Sequence, residues 1–373
     1  MKAGTSCLTA VAILMGWTTW GAGAEIEPLL VIEPSTKNPR NSEGDIIELN
    51  DGRLCLIYTR FTGGSSDHAA ADLVRRTSDD GGRTWSDESI VVRRLGGLNV
   101  MSVSLLRLAG GPIALFYLRK TSKEDCRPLM CLSTDEAQTW SQPTVCIRDK
   151  VGYYVLNNDR AVQLSTGRLI LPVAWHQGPG QARDTAGVVM CYLSDDTGKT
   201  WRRSRDSFKG YGPNGQRITV QEPGIIELKD GRLMMFMRTN AGSQYICYSQ
   251  DGGETWSRAG PSNLASPLSP ASVERIPGTG DLLCVWNDHS GIHSYPAGCR
   301  TPLCMAVSRD EGKTWSRSRV IEGNPDGWYC YTAITFVGNR ALLAYCAGDK
   351  EVGRLNRLKV LAVSGNWLNS LHE

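Results

Sequence analysis

The sequence predicts an all-β protein, a six-bladed β-propeller over residues 25–373. Three observations predict it. A short motif recurs five times at near-regular spacing, and a turn followed by an apolar strand recurs six times between its copies. Glycine and tryptophan are abundant, at 40 and 11 of 373 residues, against only 5 phenylalanines. Turn-rich chains with a periodic tryptophan motif belong to blade-repeat architectures.

The first element is not part of the fold. Lys2 gives a positive start, residues Leu8 to Trp20 form one apolar run, and Ala22-Gly23-Ala24 fits a small-x-small cleavage site. Residues 1–24 read as a signal peptide cleaved after Ala24, and the product is expected to be secreted or periplasmic. No other segment is long and apolar enough to span a membrane as a helix.

The repeated motif reads Ser-x-Asp-x-Gly-x-Thr-Trp. Its copies start at Ser78, Ser133, Ser194, Ser249 and Ser308, and only the second departs, with Ala137 at the glycine. The tryptophans Trp85, Trp140, Trp201, Trp256 and Trp315 lie 55, 61, 55 and 59 residues apart. The alternating element begins at Asp51, Gly110, Thr166, Asp230, Gly280 and Gly338. Each is a turn signal before a β-rich run. Six units of this length each hold about four short strands, or one blade. The sixth unit lacks the motif, and the run Ile26 to Ile32 is expected to add a strand to it and close the ring. The motif aspartates read as turn locks. A Ser and an Asp two residues apart can bond nearby backbone N–H groups, and chemistry needs one site rather than five equivalent ones.

Composition excludes several classes. Hydrophobic residues are 41% and charged residues 21%, which excludes a disordered chain. A net charge of +3 gives no electrostatic footprint for nucleic acid. There is no HExxH, P-loop or GxSxG pattern, and no metal site is assigned. His289 and His293 share one loop and form a weak metal pair. Of twelve cysteines, Cys7 lies in the leader, leaving eleven. Cys55, Cys191, Cys284 and Cys346 sit in apolar runs and read as small buried hydrophobes. Cys126 with Cys131, and Cys299 with Cys304, are candidate local disulfides in an oxidising compartment.

The five motif copies resemble the Asp boxes of the sialidase superfamily, and the resemblance covers the whole chain after residue 24. It implies a retaining exo-glycosidase acting on terminal sialic acid or a related acidic sugar of glycans. It implies no cofactor, and a monomer is expected. Sialic acid carries a carboxylate on its anomeric carbon. Arginine forks suit that group, and a carboxylate nucleophile would be repelled by it. The superfamily uses a tyrosine nucleophile, a glutamate that takes its proton and an aspartate acid/base.

The resemblance places these roles by local context. Glu222 and Arg238 frame the strand pair in QEPGIIELKDGRLMMFMRT and match the base and the second arginine. Tyr331 in YCYTAITF matches the nucleophile, with Tyr329 as competitor, and Arg300 upstream matches the third arginine. Asp67 in TRFTGGSSDH matches the acid/base, with Asp72 as alternative. Arg60, on the strand leading into that loop, is a further substrate-binding candidate. Arg40 in NPRNSEGDIIEL matches the first arginine, one or two residues early, with Asn41-Ser42 where the superfamily has Ile-Pro. Ser102 stands where an acidic residue helps place the N-acyl arm, and Cys346 stands where a glutamate steadies the first arginine. Two other readings follow from these departures. One is a glycosidase for a different sugar, and the other is a carbohydrate-binding propeller without hydrolysis.

Overall fold

The structure, a computed structural model, describes residues 25–371. The predicted signal segment lies outside the described residues. Among the described residues the fold is all-β and propeller-like, with one short helix at Gly365–Ser370. Four sheets have four strands each. The first holds Arg40–Glu48, Leu54–Phe61, Ala71–Ser78 and Ser89–Val92. Two more run from Val220 to Ala265 and from Ser272 to Glu322. The last combines Trp328–Val337, Arg340–Gly348 and Leu358–Ser364 with Ile26–Ile32. A nine-stranded sheet carries the second and third motif copies. Its two halves are bridged by Tyr153–Val155, which pairs in parallel with Cys126 and antiparallel with the strand Leu169–Gln177.

The sequence explains the strands locally. Asp51-Gly52 closes a hairpin in which Leu49 N–H reaches Arg53 O at 2.8 Å, and Gly52 supplies φ 83°. The same closure recurs from Leu108, Leu164 and Leu228. Between turns, the second strands are buried almost throughout, as in Leu54–Phe61 and Ile113–Lys120. They stack between neighbouring sheets.

The boxes behave as turn locks. Ser78 Oγ donates to Asp80 Oδ1 at 2.8 Å and accepts Gly82 N–H at 2.8 Å. Asp80 then takes the N–H and hydroxyl of Thr84, at 2.9 and 2.7 Å. The pattern recurs at Asp135, Asp196, Asp251 and Asp310. Ala137 adopts φ 61° where the other boxes use glycine, a conformation costing an alanine about 1–2 kcal/mol. Box glutamates also link neighbours. Glu136 accepts Asn50 N–H at 2.7 Å from the first sheet's turn and takes both Arg107 nitrogens at 2.9 and 2.8 Å. Glu311 does the same with Lys229 N–H and Arg275.

The inner strands meet at one short segment, Asn158-Asp159-Arg160. Asn158 Nδ2 donates to Gly44 O and Tyr331 O, at 3.0 and 2.9 Å. Asp159 N–H donates to Val103 O, while its carboxylate accepts Ile334 N–H at 3.0 Å. Arg160 N–H donates to Ser104 Oγ at 3.0 Å, and its guanidinium donates to Ala271 O at 2.6 Å. One segment thus ties strands of several sheets together.

The expected disulfides are absent. All eleven cysteines among the described residues are free. Cys126 and Cys131 lie on one strand five residues apart, so their side chains leave opposite faces about 16 Å apart along the chain. Cys304 is buried in a strand while Cys299 sits in the preceding loop.

The boxes make stability acid-sensitive. The Thr139 and Thr200 hydroxyls, then their N–H groups, hold Asp135 and Asp196 down at about 2. Carboxylates with depressed folded-state values stabilise above their unfolded value, about 3.9, and lose that contribution as pH falls through the folded one. The thermal midpoint is expected to drop as pH goes from about 4 towards 2. Asp196→Asn should show a shallower drop in melts followed by circular dichroism; an equally steep one would refute this account.

Candidate active site

The site forms where bulged inner strands converge. Four first strands slip register at corresponding points: between Ser42 and Asp45, Met101 and Ser104, Gln221 and Gly224, and Cys330 and Ala333. Each slip holds one non-glycine residue in the left-handed region. These are Glu43 (φ 51°), Ser102 (φ 60°), Glu222 (φ 51°) and Tyr331 (φ 60°). Such a conformation costs about 1–3 kcal/mol and persists where the surroundings impose it. A bulge re-aims a side chain. All four residues line one cavity of about 150 Å³, together with Asp67, Arg238 and a wall around Tyr153.

Tyr331 and Glu222 form the first pair. Tyr331 Oη donates to Glu222 Oε1 at 3.3 Å. Arg238 NH1 lies 3.0 Å from Glu222 Oε2, and Arg238 Nε donates to Gln221 Oε1 at 3.1 Å. The Arg300 guanidinium lies 5.4 Å from the Tyr331 ring centre and 5.3 Å from that of Trp328. Burial, then the Glu222 charge, pushes the Tyr331 phenol well above its ordinary range, while Arg300 and Arg238 work against them. Tyr331 is therefore protonated at neutral pH, with its proton directed at a carboxylate.

Arg40 organises the second cluster. It is 1% exposed. Its Nε donates to Ser42 Oγ at 2.9 Å, NH2 to Glu43 Oε1 at 2.8 Å and NH1 to Asp67 Oδ1 at 2.6 Å. Its guanidinium covers the Phe61 ring at 4.5 Å. The second Glu43 oxygen accepts the Ser102 hydroxyl in a short contact. Burial raises the Glu43 carboxyl, and Arg40 only partly opposes it. Burial also acts upward on Asp67, but the Arg40 charge and hydrogen bond outweigh it and hold that carboxyl below its ordinary value. Asp67 has a side chain 59% exposed and is ionised at rest.

The structure thus brings together Asp67, Glu222, Tyr331 and Arg238 at the cavity, with Arg300 behind Tyr331 and Arg40 behind Asp67. It does not bring in Arg60. That side chain pairs with Glu88 at 2.8 Å and lies 3.8 Å from Asp72. The reason is strand alternation. Arg60, Arg119 and Trp175 occupy the seventh position of their second strands, whereas Phe61, Lys120 and His176 occupy the eighth and face the other way. Asp72 accepts Arg94 N–H at 2.8 Å, and Tyr329 packs edge-on to Tyr345. Neither alternative reaches the cavity. His289 stacks on Tyr295 at 3.7 Å and His293 meets Ser318 Oγ at 3.0 Å, so both turn to protein partners.

Sequence reasoning missed Lys120, Tyr153, Asn157, His176, Arg183 and Gln221 as cavity residues. Only the eighth-position rule would have found Lys120 and His176. Cys346 packs opposite Cys330 across the last sheet, and the carboxylate partner of Arg40 comes from Glu43 on its own strand. A larger cavity of about 790 Å³ lies further along the same strands, lined by Asp45, Asp159 and Glu274. Backbone groups already occupy two of these carboxylates. Asp45 accepts Ile46 and Leu105 N–H, and Asp159 accepts Ile334 N–H.

Residues 57–343 match the BNR repeat-like domain family. The chain belongs to that family. It is also a member of the sialidase-like superfamily, since curated sialidases match along most of its length. It is 28% identical over 330 residues to a sialidase of Bacteroides fragilis (strain YCH46), covering 78% of this chain and 57% of that protein. It is 24% identical over 331 residues to a sialidase of Micromonospora viridifaciens, covering 76% and 46%. The chain therefore spans about half the length of the curated relatives it matches. Among solved structures, it is similar to the leech intramolecular trans-sialidase (TM-score 0.71, 16% identity, 95% of this chain and 72% of that one). It is also similar to a Dyadobacter fermentans protein of unknown function (TM-score 0.69, 17% identity, 91% and 99%). At these identities the structural likeness concerns the fold alone.

Within this BNR-repeat chain, Glu43 is the buried hinge of the Arg40 cluster. Glu43→Leu leaves Arg40 short of a partner in a buried place. It is expected to cost about 3–5 kcal/mol, read as a lower urea midpoint at unchanged slope. A loss under about 1 kcal/mol would show that Asp67 alone suffices for Arg40.

Proposed function

We propose that the chain is a retaining exo-glycosidase of sialidase type, built on six blades that close into a ring. One observation carries the reading: Tyr331 Oη directed at Glu222 Oε1, with Arg238 on the far oxygen of Glu222 and Arg300 over the tyrosine ring. A tyrosine held in the left-handed region beside a carboxylate has no evident packing purpose. The substrate is a terminal sialic acid or related acidic sugar on a glycan.

The roles follow from the geometry. Asp67, once protonated, gives its proton to the leaving oxygen. Tyr331 Oη bonds to the anomeric carbon as its own proton passes to Glu222, and the glycosidic bond breaks. Water then attacks the anomeric carbon and yields a proton to Asp67, while the departing Tyr331 oxygen takes back the proton from Glu222. Arg238 faces the sugar carboxylate, and Arg300 adds its charge from behind Tyr331. Arg40 acts from behind, aligning Asp67 and Glu43. The matching BNR-repeat family and the sialidase relatives support this chemistry.

A second reading keeps the glycosidase and changes the sugar. Its support is Arg40, whose guanidinium is already bound by Glu43, Ser42 and Asp67.

Release of a fluorophore from a sialic acid glycoside by residues 25–373 is the test. Tyr331→Phe should lower kcat by at least about a thousandfold with the fold intact; a loss below tenfold refutes the nucleophile. No release by folded wild type moves the reading to another sugar. Since Arg40 holds Asp67 ionised, and the first step needs it protonated, kcat/KM should rise as pH is lowered from neutrality. A flat profile would assign the acid elsewhere.

A further inference from the structure

One wall of the cavity is not used by the steps above. Its centre is Tyr153, on the strand that bridges the two halves of the nine-stranded sheet. Lys120 Nζ lies 5.3 Å from the Tyr153 ring centre and the Arg183 guanidinium 4.4 Å from it. His68 and His176 stand edge-on to the same ring, at 6.4 and 6.2 Å. Lys120, Tyr153, His176 and Arg183 all line the cavity.

The charge there is unbalanced. Each cavity carboxylate already has an arginine: Glu43 and Asp67 share Arg40, and Glu222 has Arg238. Among the described residues, neither Lys120 nor Arg183 has a carboxylate within ion-pair distance. Lys120, 1% exposed, meets a backbone carbonyl of Asp67, the Met101 sulfur and Tyr153, and feels the Asp67 charge without an ion-pair contact. A buried cation with no carboxylate in ion-pair contact leaves a place for an anion from outside. Neutral donors point the same way. Asn157, 3% exposed and lining the cavity, has its amide nitrogen without a partner. His176 uses Nδ1 on Asp184 O at 2.7 Å, which leaves Nε2 on the other side of the ring. The positive field is also felt by the imidazoles: after burial, Lys120 lowers His68 and Arg183 helps lower His176.

We propose that the Tyr153 wall is an anion subsite, which takes an O-sulfate or a second carboxylate carried by the substrate sugar besides the carboxylate that faces Arg238. Lys120 forms its floor, Arg183 closes it from the rim, and Asn157 adds a hydrogen bond. The subsite rests on the reading of this cavity as a glycosidase site.

The test compares a fluorogenic sialoside with its O-sulfated counterpart. Wild type should favour the sulfated substrate about tenfold in kcat/KM, about 1.4 kcal/mol, with the difference carried by KM. Arg183→Ala should abolish the preference and Arg183→Lys should recover part of it. Arg258→Ala, which removes an exposed cation elsewhere, should retain the full preference. Lys120→Met reads the floor; if it does not fold, Arg183 still decides. Calorimetric binding of free O-sulfated and plain sialic acid to wild type needs no turnover. Tighter binding of the sulfated sugar, lost in Arg183→Ala, supports the subsite even if neither glycoside is cleaved, in which case only the hydrolytic reading fails. Turnover or binding with no sulfate preference, a preference untouched by Arg183→Ala, or no binding of either sugar overturns it.

Discussion

A regular strand points its side chains across the sheet, never along its own axis, yet the cavity lies where inner-strand backbones converge. The left-handed bulge resolves that conflict. At Glu43, Ser102, Glu222 and Tyr331 the backbone departs from the ladder for one residue and delivers a side chain inward. Each departure is unfavourable alone, so the surroundings must enforce it. The Asn158 amide, bonded to Gly44 O and Tyr331 O beside two of the bulges, is one such enforcer. The box turns, none of whose serines or aspartates lines the cavity, lock the ends of the strands that make this possible.

The same packing sets the electrostatics. The cavity is crowded with groups that water would otherwise solvate, and several of them are paired in an interlocked way. Arg40 is gripped by Glu43 and Asp67, Glu43 also takes Ser102, and Glu222 stands between Tyr331 and Arg238. Burial favours the neutral carboxyl and wins at Glu43, whereas at Asp67 the Arg40 charge and hydrogen bond outweigh it, which explains a depressed Asp67 beside a raised Glu43. An arginine so engaged serves geometry more than ligand capture.

Much of this was legible in the sequence because it is periodic. Five boxes and six turn-strand elements announced the sheets, and Ile26–Ile32 was expected in the last sheet, where it pairs with Leu358–Ser364. Glu222, Tyr331, Asp67 and Arg238 were placed by local context, and the cavity gathers them. Arg60 was misplaced because proximity in sequence ignores strand alternation, which turns it towards Glu88. The Tyr153 wall was invisible because its members come from four separate stretches, and no local pattern marks them. The proposed disulfides failed for a geometric reason: a count of cysteines says nothing about which face of a strand each one leaves.

The pairing of Ile26–Ile32 with Leu358–Ser364 has a kinetic meaning. Arg357 and Glu33, joined beside that pairing at 2.8 Å, are 324 positions apart. The outer strand of the last sheet, Ile26–Ile32, is made first and its partner Leu358–Ser364 more than 300 residues later. Before then the Ile26–Ile32 strand has no partner and is open to association with other chains. Closing so long a loop is slow, and contacts of this range dominate a β topology. Assembly of this sheet should therefore be limited by the late meeting of these two distant strands, and the vulnerable species should be the one in which they are not yet joined.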